Sequence, residues 1–252
     1  MIFGNYIEAL RSILERIREE QSANIELAGR IVAGTIARGG IVHTFGTGHS
    51  HLIAEEIFFR AGGIAAVNPI LNERLIFLKG ALESTRAERE AGLAQILIER
   101  EIVTDGDAAI IISNSGRNAA PVEMALEMKA RGAAVVAITN LEQSRAADSR
   151  HSSGKKLFEL ADVAIDNCVP PGDATAEVDG LGSRTGASST VAGAAIAHSI
   201  VIEALGEMLR RGESVEVLPS ANVAGTAANV LREALRPYRD RIRYIDLETE
   251  LD

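Results

Sequence analysis

The chain has 252 residues, of which 46% are hydrophobic and 24% charged, a composition typical of a soluble protein with one large or two small domains. Its 26 Lys and Arg residues against 35 Asp and Glu residues give a formal charge of −9, which argues against a nucleic-acid-binding surface. The single cysteine, Cys168, rules out an intrachain disulfide, as is usual in the cytoplasm. Because no apolar run reaches the roughly 18 residues of a membrane span and no signal-peptide pattern is present, we expect a cytoplasmic protein with neither a membrane nor a nucleic-acid partner.

The N-terminal segment, residues 1–38, is predicted to be helical. Ile7, Leu10, Leu14 and Ile17 recur at the spacing of one helix face, and a polar stretch then interrupts this stripe, so the segment is either one helix or two. A stripe of this kind outside an α/β repeat needs a covering surface. We expect a second copy of the chain to supply it, which predicts a homodimer built through the N-terminal helix.

From residue 39 to residue 211, short apolar strands alternate with helices. Strands rich in Val, Ile and Ala that alternate with helices indicate a parallel sheet covered on both faces, which is a three-layer α/β/α fold. Residues 212–252 are predicted to be a C-terminal helical extension of the same compact unit. The strands are predicted at residues 41–45, 64–71, 108–113, 134–139 and 163–166, and the helices at residues 51–63, 93–101, 121–131, 154–161 and 189–210.

Three segments near predicted strand ends combine glycine with hydroxyl-bearing residues. They read GTGHS at 46–50, SNSGRN at 113–118 and GASST at 186–190, and each leads into a predicted helix. Ligands of parallel α/β sheets bind beyond the carboxyl ends of the strands, and the free N–H groups of a helix N-terminus favour an anion. We therefore interpret the three loops as a phosphate cradle, while noting that Ser and Asn also serve as ordinary helix caps at such places.

Other ligand motifs do not fit. In GTGHSH, His51 stands where the dinucleotide fingerprint needs its third glycine, and SGKK at 153–156 lacks the leading glycine and the hydroxyl residue of a P-loop. The five histidines are scattered without the spacing of metal ligands. We predict no cofactor and no metal.

These motifs resemble the sugar isomerase (SIS) domain family, whose members bind or transform phosphosugars. The most specific family pattern, Ser-x-Ser-Gly-x-Thr/Ser/Asn, reads here Ser113, Ser115, Gly116 and Asn118. The core resemblance covers about residues 36–211. The stretches GHSHLIAEEIFFRAGG, ISNSGRNAAPVEMA and SRHSSGKKLFELADVAIDN are similar to a bacterial phosphosugar-binding subgroup related to phosphoheptose isomerase and muramic acid 6-phosphate etherase.

The resemblance implies a five-stranded parallel sheet between helices and a homodimer with its sites near the subunit interface. It also implies a phosphorylated sugar or amino sugar as the ligand. The residues expected to contact this ligand come from the three loops: Gly48, His49, Ser50, His51, Ser113, Asn114, Ser115, Gly116, Asn118, Ser188, Ser189 and Thr190.

Interconversion of an aldose phosphate and a ketose phosphate requires a group that moves a proton between neighbouring carbons. The catalytic candidates are Glu56, His198 and Glu55, with His49, His51 and Glu88 as further candidates. Glu56 lies six residues after Ser50, about 9 Å along a helix, and His198 falls near the catalytic histidine of the phosphoheptose isomerase branch as we align it. Both related branches carry an essential Glu ten residues after the loop serine, where this chain has Arg60, so a glutamate from another helical turn would have to substitute.

Two further segments follow predicted strands and could border the ligand. Residues 72–90 are either a lid over the sugar or surface, and Arg150 and His151 could approach the same rim. The favoured function is a sugar-phosphate aldose–ketose isomerase. The alternatives are a phosphosugar-binding or regulatory protein without catalysis, and an etherase-type lyase that acts on an amino-sugar phosphate.

Overall fold

The computed structural model describes residues 2–222 and 228–249. The chain begins with two helices, α1 (Ile2–Glu20) and α2 (Ser22–Ala37), and then alternates strands with helices. The strands are β1 (Val42–Gly46), β2 (Val67–Ile70), β3 (Ala108–Ile112), β4 (Ala134–Thr139), β5 (Val163–Asp166), β6 (Ala174–Ala176) and β7 (Thr185–Ala187). The other helices are α3 (Ser50–Glu56), α4 (Ala81–Ala87), α5 (Leu93–Ile98), α6 (Ala119–Ala130), α7 (Leu141–Ala146), α8 (Leu157–Leu160), α9 (Ser189–Arg210) and α10 (Ala228–Leu235), with 3₁₀ turns at Phe77–Lys79 and Arg236–Tyr238.

The predicted five-stranded parallel sheet is confirmed. Its strand order is β2-β1-β3-β4-β5, and each neighbouring pair is parallel. The chain leaves β1 in one direction to form β2 and continues from β3 in the other direction, so the connections diverge between β1 and β3. In doubly wound sheets of this order, that point opens a crevice beyond the carboxyl ends of the strands, where ligands bind.

The sheet separates two apolar layers. Along β3, the side chains of Ile110 and Ile112 belong to the layer formed with α1, α2, α3 and α9, whereas those of Ala109 and Ile111 belong to the layer formed with α5, α6 and α8. This alternation follows from the two-residue period of a strand. Because both faces are covered, the strands read as continuous apolar runs rather than as alternating polar and apolar residues.

Helices α2 and α9 pack closely against each other. At Gly29 on α2, an added Cβ atom would lie 2.5 Å from the Cβ atom of Glu203 on α9. By length and composition α9 could also cross a membrane, with a mean hydropathy of 1.4 over 18 residues, which the count of apolar runs had not indicated. Core helices of soluble proteins share this property, and α9 packs along α2 and against α3.

The N-terminal segment forms two helices, one of the two arrangements that the sequence allowed. On α1, Ile13 and Ile17 are buried against the body of the chain. Ile7 and Leu14 belong to the predicted stripe, but they are 54% and 38% exposed in the single chain. The stripe therefore divides between a face that packs within the chain and a face that no part of the described chain covers.

Some boundaries differ from the sequence prediction. The helix predicted over residues 51–63 ends at Glu56, and the chain then turns through Phe59, which has a φ of +45°, and Gly62, which has a φ of +81°. The strand predicted over residues 64–71 is confined to Val67–Ile70. The antiparallel hairpin of β6 and β7 and the short helix α7 were not predicted.

The C-terminal residues are held to the sheet by a buried carboxylate. Asp107, immediately before β3, accepts hydrogen bonds from the backbone N–H groups of Ile41 and Thr104, both at 2.7 Å. Its Oδ2 atom also accepts a hydrogen bond from Arg241 Nη2 at 2.6 Å and lies 3.5 Å from His43 Nε2. Arg241 lies beyond α10, so this contact joins the end of the chain to the start of β1 and β3.

Candidate functional site

The first loop, residues 46–50, connects β1 to α3. Gly48 has a φ of +54°, a conformation that glycine adopts without steric cost. The N–H groups that open α3 are engaged in tight turns: Ser50 donates to the carbonyl of Thr47 at 3.0 Å and Leu52 donates to the carbonyl of His49 at 3.1 Å. His51 is nearly buried, and its Nδ1 atom contacts the carbonyl oxygen of Gly48.

The segment of residues 72–90 packs directly against this loop. The N–H of Gly48 donates to the carbonyl of Leu75 at 2.8 Å, and the ring of Phe77 lies 4.7 Å from the ring of His49. Arg74 fixes the segment internally through Glu83 at 2.9 Å and Glu90 at 2.6 Å. The segment therefore covers the first loop instead of forming a separate surface region.

Glu88 connects the first loop with the second. Its Oε2 atom accepts a hydrogen bond from the hydroxyl of Thr47 at 2.9 Å, and its backbone carbonyl accepts the N–H of Ala120 in the first turn of α6 at 3.0 Å. This carboxylate is partly exposed. It consequently lies at the crevice between β1 and β3, where the sheet topology places a ligand.

The second loop, residues 113–118, connects β3 to α6. The N–H of Gly116 donates to the hydroxyl oxygen of Ser113 at 3.2 Å, and Gly116 has a φ of +60°. The side chain of Asn114 is already engaged within the chain, because its Oδ1 atom accepts a hydrogen bond from Asn167 Nδ2 at 2.8 Å. Ser115 is partly exposed, and its side chain makes no such hydrogen bond within the described residues. Of the predicted residues here, Ser115 is the one best placed to meet a ligand.

Two arginines border the second loop. The side chain of Arg150 donates from Nη1 to the Oδ1 atom of Asn118 at 2.9 Å, and the N–H of Arg150 donates to the carbonyl of Arg117 at 2.8 Å. Loss of surrounding water, together with the positive charges of Arg117 and Arg89, lowers the pKa of Arg150 from its usual value. The loop that carries Arg150 does approach the rim. His151 also reaches inward, with its Nε2 atom 3.7 Å from Glu123 Oε1.

The third loop leads into α9, and its donors are already occupied. Oδ1 of Asp173 accepts the N–H groups of Ser188 at 2.9 Å and Ser189 at 2.6 Å, and its Oδ2 atom accepts the hydroxyl of Ser189 at 2.8 Å. Ser188 is fully buried. Asp173 thus caps α9 with a carboxylate of the chain itself. Of the three predicted loop residues here, Thr190 alone is not engaged by that carboxylate.

The predicted catalytic residues form two contacts on the helices. His198 Nε2 on α9 lies 3.1 Å from Glu56 Oε1 on α3, and the same oxygen lies 3.5 Å from Arg60 Nε. Glu55 lies 3.6 Å from His51 Nε2. The structure therefore brings Glu56 and His198 together, whereas Glu55 and Glu56 diverge around α3. Arg60, which stands where the related branches carry a glutamate, contacts Glu56.

Over residues 2–222 and 228–249, no group of three or more His, Cys, Asp or Glu side chains is arranged to hold a metal ion. Cys168 is buried, and this burial, together with the charge of Asp166, raises the pKa of its thiol to about 11. A thiol of this kind is a poor nucleophile at neutral pH.

Comparison with known proteins is consistent with this geometry. A family model described as SIS domain matches residues 5–140, which include the first two loops and Glu88. The chain belongs to the SIS domain family. A UPF0309 protein of Caldanaerobacter subterraneus subsp. tengcongensis is 39% identical over 243 residues, which cover 95% of this SIS chain and 98% of that relative.

Two solved structures show the same fold as this SIS domain. Phosphoheptose isomerase GmhA from Neisseria gonorrhoeae is 14% identical, with a TM-score of 0.53 over 79% of this chain and 94% of that one. The NanR protein of Vibrio vulnificus, solved in complex with ManNAc-6P, is also 14% identical, with a TM-score of 0.50 over 84% of this chain and 65% of that one.

Some residues at the crevice were weakly signalled or missed by the sequence. Glu88 was one carboxylate among several, because nothing in its local pattern shows that its segment folds over the first loop. Asp173 was missed altogether, since its φ of +70° and its distance of 15 residues from Ser188 leave no sequence pattern. The serine-rich motifs did indicate the loops, but not which of their donors are free.

Proposed function

We propose that this SIS domain binds a phosphorylated sugar or amino sugar in the crevice between the first and second loops and interconverts its aldose and ketose forms. The observation that carries the proposal is the 2.9 Å hydrogen bond from Thr47 to Glu88. It holds a carboxylate between the two loops, next to the arginines that border the second loop. A proton-transfer group and an anion-binding surface thus share one crevice.

The proposed division of roles follows from this arrangement. The phosphate lies at the second loop near Ser115, and the carbonyl end of the open-chain sugar extends towards Glu88. The carboxylate of Glu88 takes the proton from C2 of the aldose to give an enediol and returns it to C1, while the hydroxyl proton of O2 moves to O1, so that the ketose forms with no net gain or loss of protons. Such a base contributes roughly 10²–10⁴-fold to a rate.

Glu56 and His198 are the second candidates for proton transfer. Their contact at 3.1 Å makes a carboxylate–imidazole pair that could serve as acid and base. However, this pair lies on α3 and α9, about 9 Å along α3 from Ser50 at the rise of an α-helix, and Arg60 shares the same oxygen of Glu56. The hydrogen bond of Glu88 to the first loop makes Glu88 the stronger candidate.

The comparisons support the ligand class. The fold neighbours include a protein named phosphoheptose isomerase and a protein solved with ManNAc-6P. At 14% identity these neighbours share the fold with this chain, and the phosphosugar ligand is carried over from them as part of the proposal.

The test begins with thermal shift against a panel of aldose, ketose and amino-sugar phosphates. Each hit is then followed by NMR in D₂O, where isomerisation incorporates deuterium at C1 or C2. Glu88→Gln should retain binding and abolish exchange, and Glu56→Gln is the matched comparison. Exchange that survives in Glu88→Gln but is lost in Glu56→Gln or His198→Ala would transfer the catalytic role to the second pair. Release of a lactyl group would indicate the etherase-type reaction.

A phosphosugar-binding protein without turnover is the second candidate function. The contact of Arg60 with Glu56 favours it, because this cation stands at the position of the essential glutamate in the related branches and pairs with the nearest glutamate. Saturable binding without deuterium exchange for every ligand of the panel would establish this function over isomerisation.

We also propose that the chain acts as a cytoplasmic homodimer. Only 39% of the apolar 18-residue stretch of α9 is buried in the single chain. On α1, three large apolar side chains are also exposed, namely Ile2 at 63%, Phe3 at 64% and Ile7 at 54%. A second copy that packs against α1 and α9 would cover these side chains. Sedimentation that gives a monomer at micromolar concentration would refute the dimer.

A further inference from the structure

At the first and third loops, the backbone donors that were expected to meet an anion are largely used within the chain. Asp173 accepts the N–H groups that open α9. In the first turn of α6, the N–H of Ala120 donates to the carbonyl of Glu88, and Pro121 has no N–H. At α3, the first N–H groups close tight turns onto Thr47 and His49. In the second loop, however, the N–H groups of Ser115, Arg117 and Asn118 donate no hydrogen bond within the described residues, so side-chain donors there would add to these backbone donors.

Guanidinium groups supply such donors at the second loop. The Nε atom of Arg117 is buried and has no hydrogen-bond partner within the described residues. A buried polar group without a partner costs stability, so its retention here calls for a partner that the free chain lacks. Arg117 is adjacent in space to Arg150, as the hydrogen bond between their backbones at 2.8 Å shows.

Asn118 has an unusual role for its position in the motif. It is 5% exposed, and its side-chain oxygen accepts a hydrogen bond from Arg150 instead of capping α6. The amide thereby fixes the guanidinium of Arg150 next to the N-terminus of α6. Because only Nη1 of this guanidinium donates to Asn118, its other N–H groups stay available for a ligand.

The local charge is opposite to that of the whole chain. The formal charge of the chain is −9, yet Arg117 and Arg150 are joined by a backbone hydrogen bond at the second loop, and the positive charge of Arg89 is near enough to help lower the pKa of Arg150. None of the three forms an ion pair within 4.0 Å among the residues that the structure describes. With Glu88 as the nearby carboxylate, these groups sum to a charge of about +2, which matches one phosphate monoester dianion.

We propose that Arg117 and Arg150 bind the phosphate of the ligand together with the free backbone donors of the second loop, with Asn118 positioning Arg150. The inference rests on the proposed function, since it names the groups that hold the phosphate of the proposed substrate. Planar guanidinium groups bind phosphate oxygens in pairs, and this geometry favours a terminal phosphate with at least two free oxygens over a phosphodiester.

The experiment measures dissociation constants by calorimetry for inorganic phosphate and for the best sugar phosphate of the panel. Arg117→Gln and Arg150→Gln should each weaken binding of both ligands by roughly 10- to 100-fold, the usual range for one hydrogen bond to a charged group. Arg100→Gln is the matched control, because it removes the same charge from an exposed arginine at the end of α5. Its dissociation constants should remain within about twofold of wild type.

The role of Asn118 is tested by a double-mutant cycle. Asn118→Ala should weaken binding in wild type and have little further effect in Arg150→Gln, because it acts through that arginine. Circular dichroism and melting temperature verify that each variant is folded. Arg150→Lys, which keeps the charge and loses the paired donors, should recover only part of the affinity.

Each outcome bears on one of the two proposals. If wild type binds sugar phosphates and the Arg117 and Arg150 variants bind them as the control does, the arginine assignment is wrong and the proposed function stands. If wild type binds inorganic phosphate in an arginine-dependent way and no sugar phosphate, the assignment stands and the proposed function falls. If wild type binds neither ligand, both are wrong.

Discussion

Removal of the buried carboxylate of Asp107 should destabilise the fold more than removal of a similar carboxylate elsewhere in the sheet. Asp107 has no exposed side-chain surface and accepts from Ile41, Thr104 and Arg241 at 2.6–2.7 Å. Asp107→Ala leaves the guanidinium of Arg241 beside a buried gap and two backbone N–H groups without an acceptor.

The size of the effect follows from these contacts. Removal of one partner of a buried ion pair costs about 3–5 kcal/mol, because the other charge is left without compensation. At about 2–4 °C per kcal/mol for a chain of this size, the melting temperature should fall by about 6–20 °C. Since native proteins are stable by only about 5–15 kcal/mol, Asp107→Asn provides a milder second variant, with an expected loss of about 2–3 kcal/mol.

Asp162 is the matched control. It precedes β5 as Asp107 precedes β3, and it likewise accepts a backbone N–H of the neighbouring strand, that of Val135 at 2.8 Å, and pairs with Lys129 at 2.6 Å. Its side chain is 42% exposed, so water can replace these contacts, and Asp162→Ala should cost only about 1 kcal/mol.

The assay is urea unfolding of wild type and variants at pH 7, with the free energy extrapolated linearly to water. If the free energy of unfolding falls no further in Asp107→Ala than in Asp162→Ala, the reasoning from burial is refuted.

The contribution of Asp107 to stability should also depend on pH. Although burial opposes the charged form, the nearby imidazole of His43 and the hydrogen bonds from the two backbone N–H groups and Arg241 hold the pKa of Asp107 well below its usual range. The contribution of Asp107 to the free energy of unfolding is therefore complete at pH values above the unfolded pKa of about 3.9, and it is lost as the pH falls below that value.

Four other predictions concern packing, the second loop, the thiol and assembly. Gly29→Ala should destabilise the fold by about 1–3 kcal/mol, because its Cβ would meet the Cβ and backbone of Glu203 on α9. Gly34→Ala on the same helix would contact only the guanidinium of Arg38 and should stabilise the fold by about 0.5–1 kcal/mol. Equal melting temperatures of the two variants would contradict this contrast. Gly116→Ala should weaken phosphosugar binding in calorimetry, because its φ is +60° and its Cβ would lie 3.0 Å from two hydroxyl oxygens; unchanged affinity would show that the loop tolerates the distortion. At pH 8, iodoacetamide should leave Cys168 unmodified in the native protein and alkylate it after denaturation, because burial raises the pKa of this thiol to about 11, and rapid native labelling by mass spectrometry would disprove its burial. Ile7→Asp should give a monomer in sedimentation with unchanged circular dichroism, and a variant that remains dimeric would exclude α1 from the interface.

The five strands of the parallel sheet could be predicted because each one is a short apolar run between polar turns. β4 and β5 occur at the predicted residues, 134–139 and 163–166. Helix α3 ends earlier than its apolar residues suggested, because Phe58 and Phe59 pack as a turn after Glu56 and not as a further helical turn. Helix α7 has no apolar stripe, and the N-cap bond that Asn140 accepts from Gln143 at 2.7 Å stabilises it.

The site was predictable to the level of loops but not to the level of individual donors. Hydroxyl and glycine residues after strand ends mark anion-binding loops because parallel strands end at one edge. Whether a donor is free depends on tertiary contacts. Ser189 is bonded to Asp173, and Asn118 is bonded to Arg150, and each of these pairs joins residues that are 16 or 32 positions apart. Periodicity and local motifs carry no information at that separation.

The cap that Asp173 forms on α9 has a consequence for measurements on this protein. Because Asp173 already satisfies the N–H groups that open α9, the third loop is organised in the empty site, and a ligand does not have to order that loop when it binds. Heat stabilisation by a ligand then follows mass action alone, about 2.7 kcal/mol at a concentration 100 times its Kd, whatever its chemistry. Melting shifts across a panel tested at one concentration should therefore rank the ligands directly by affinity.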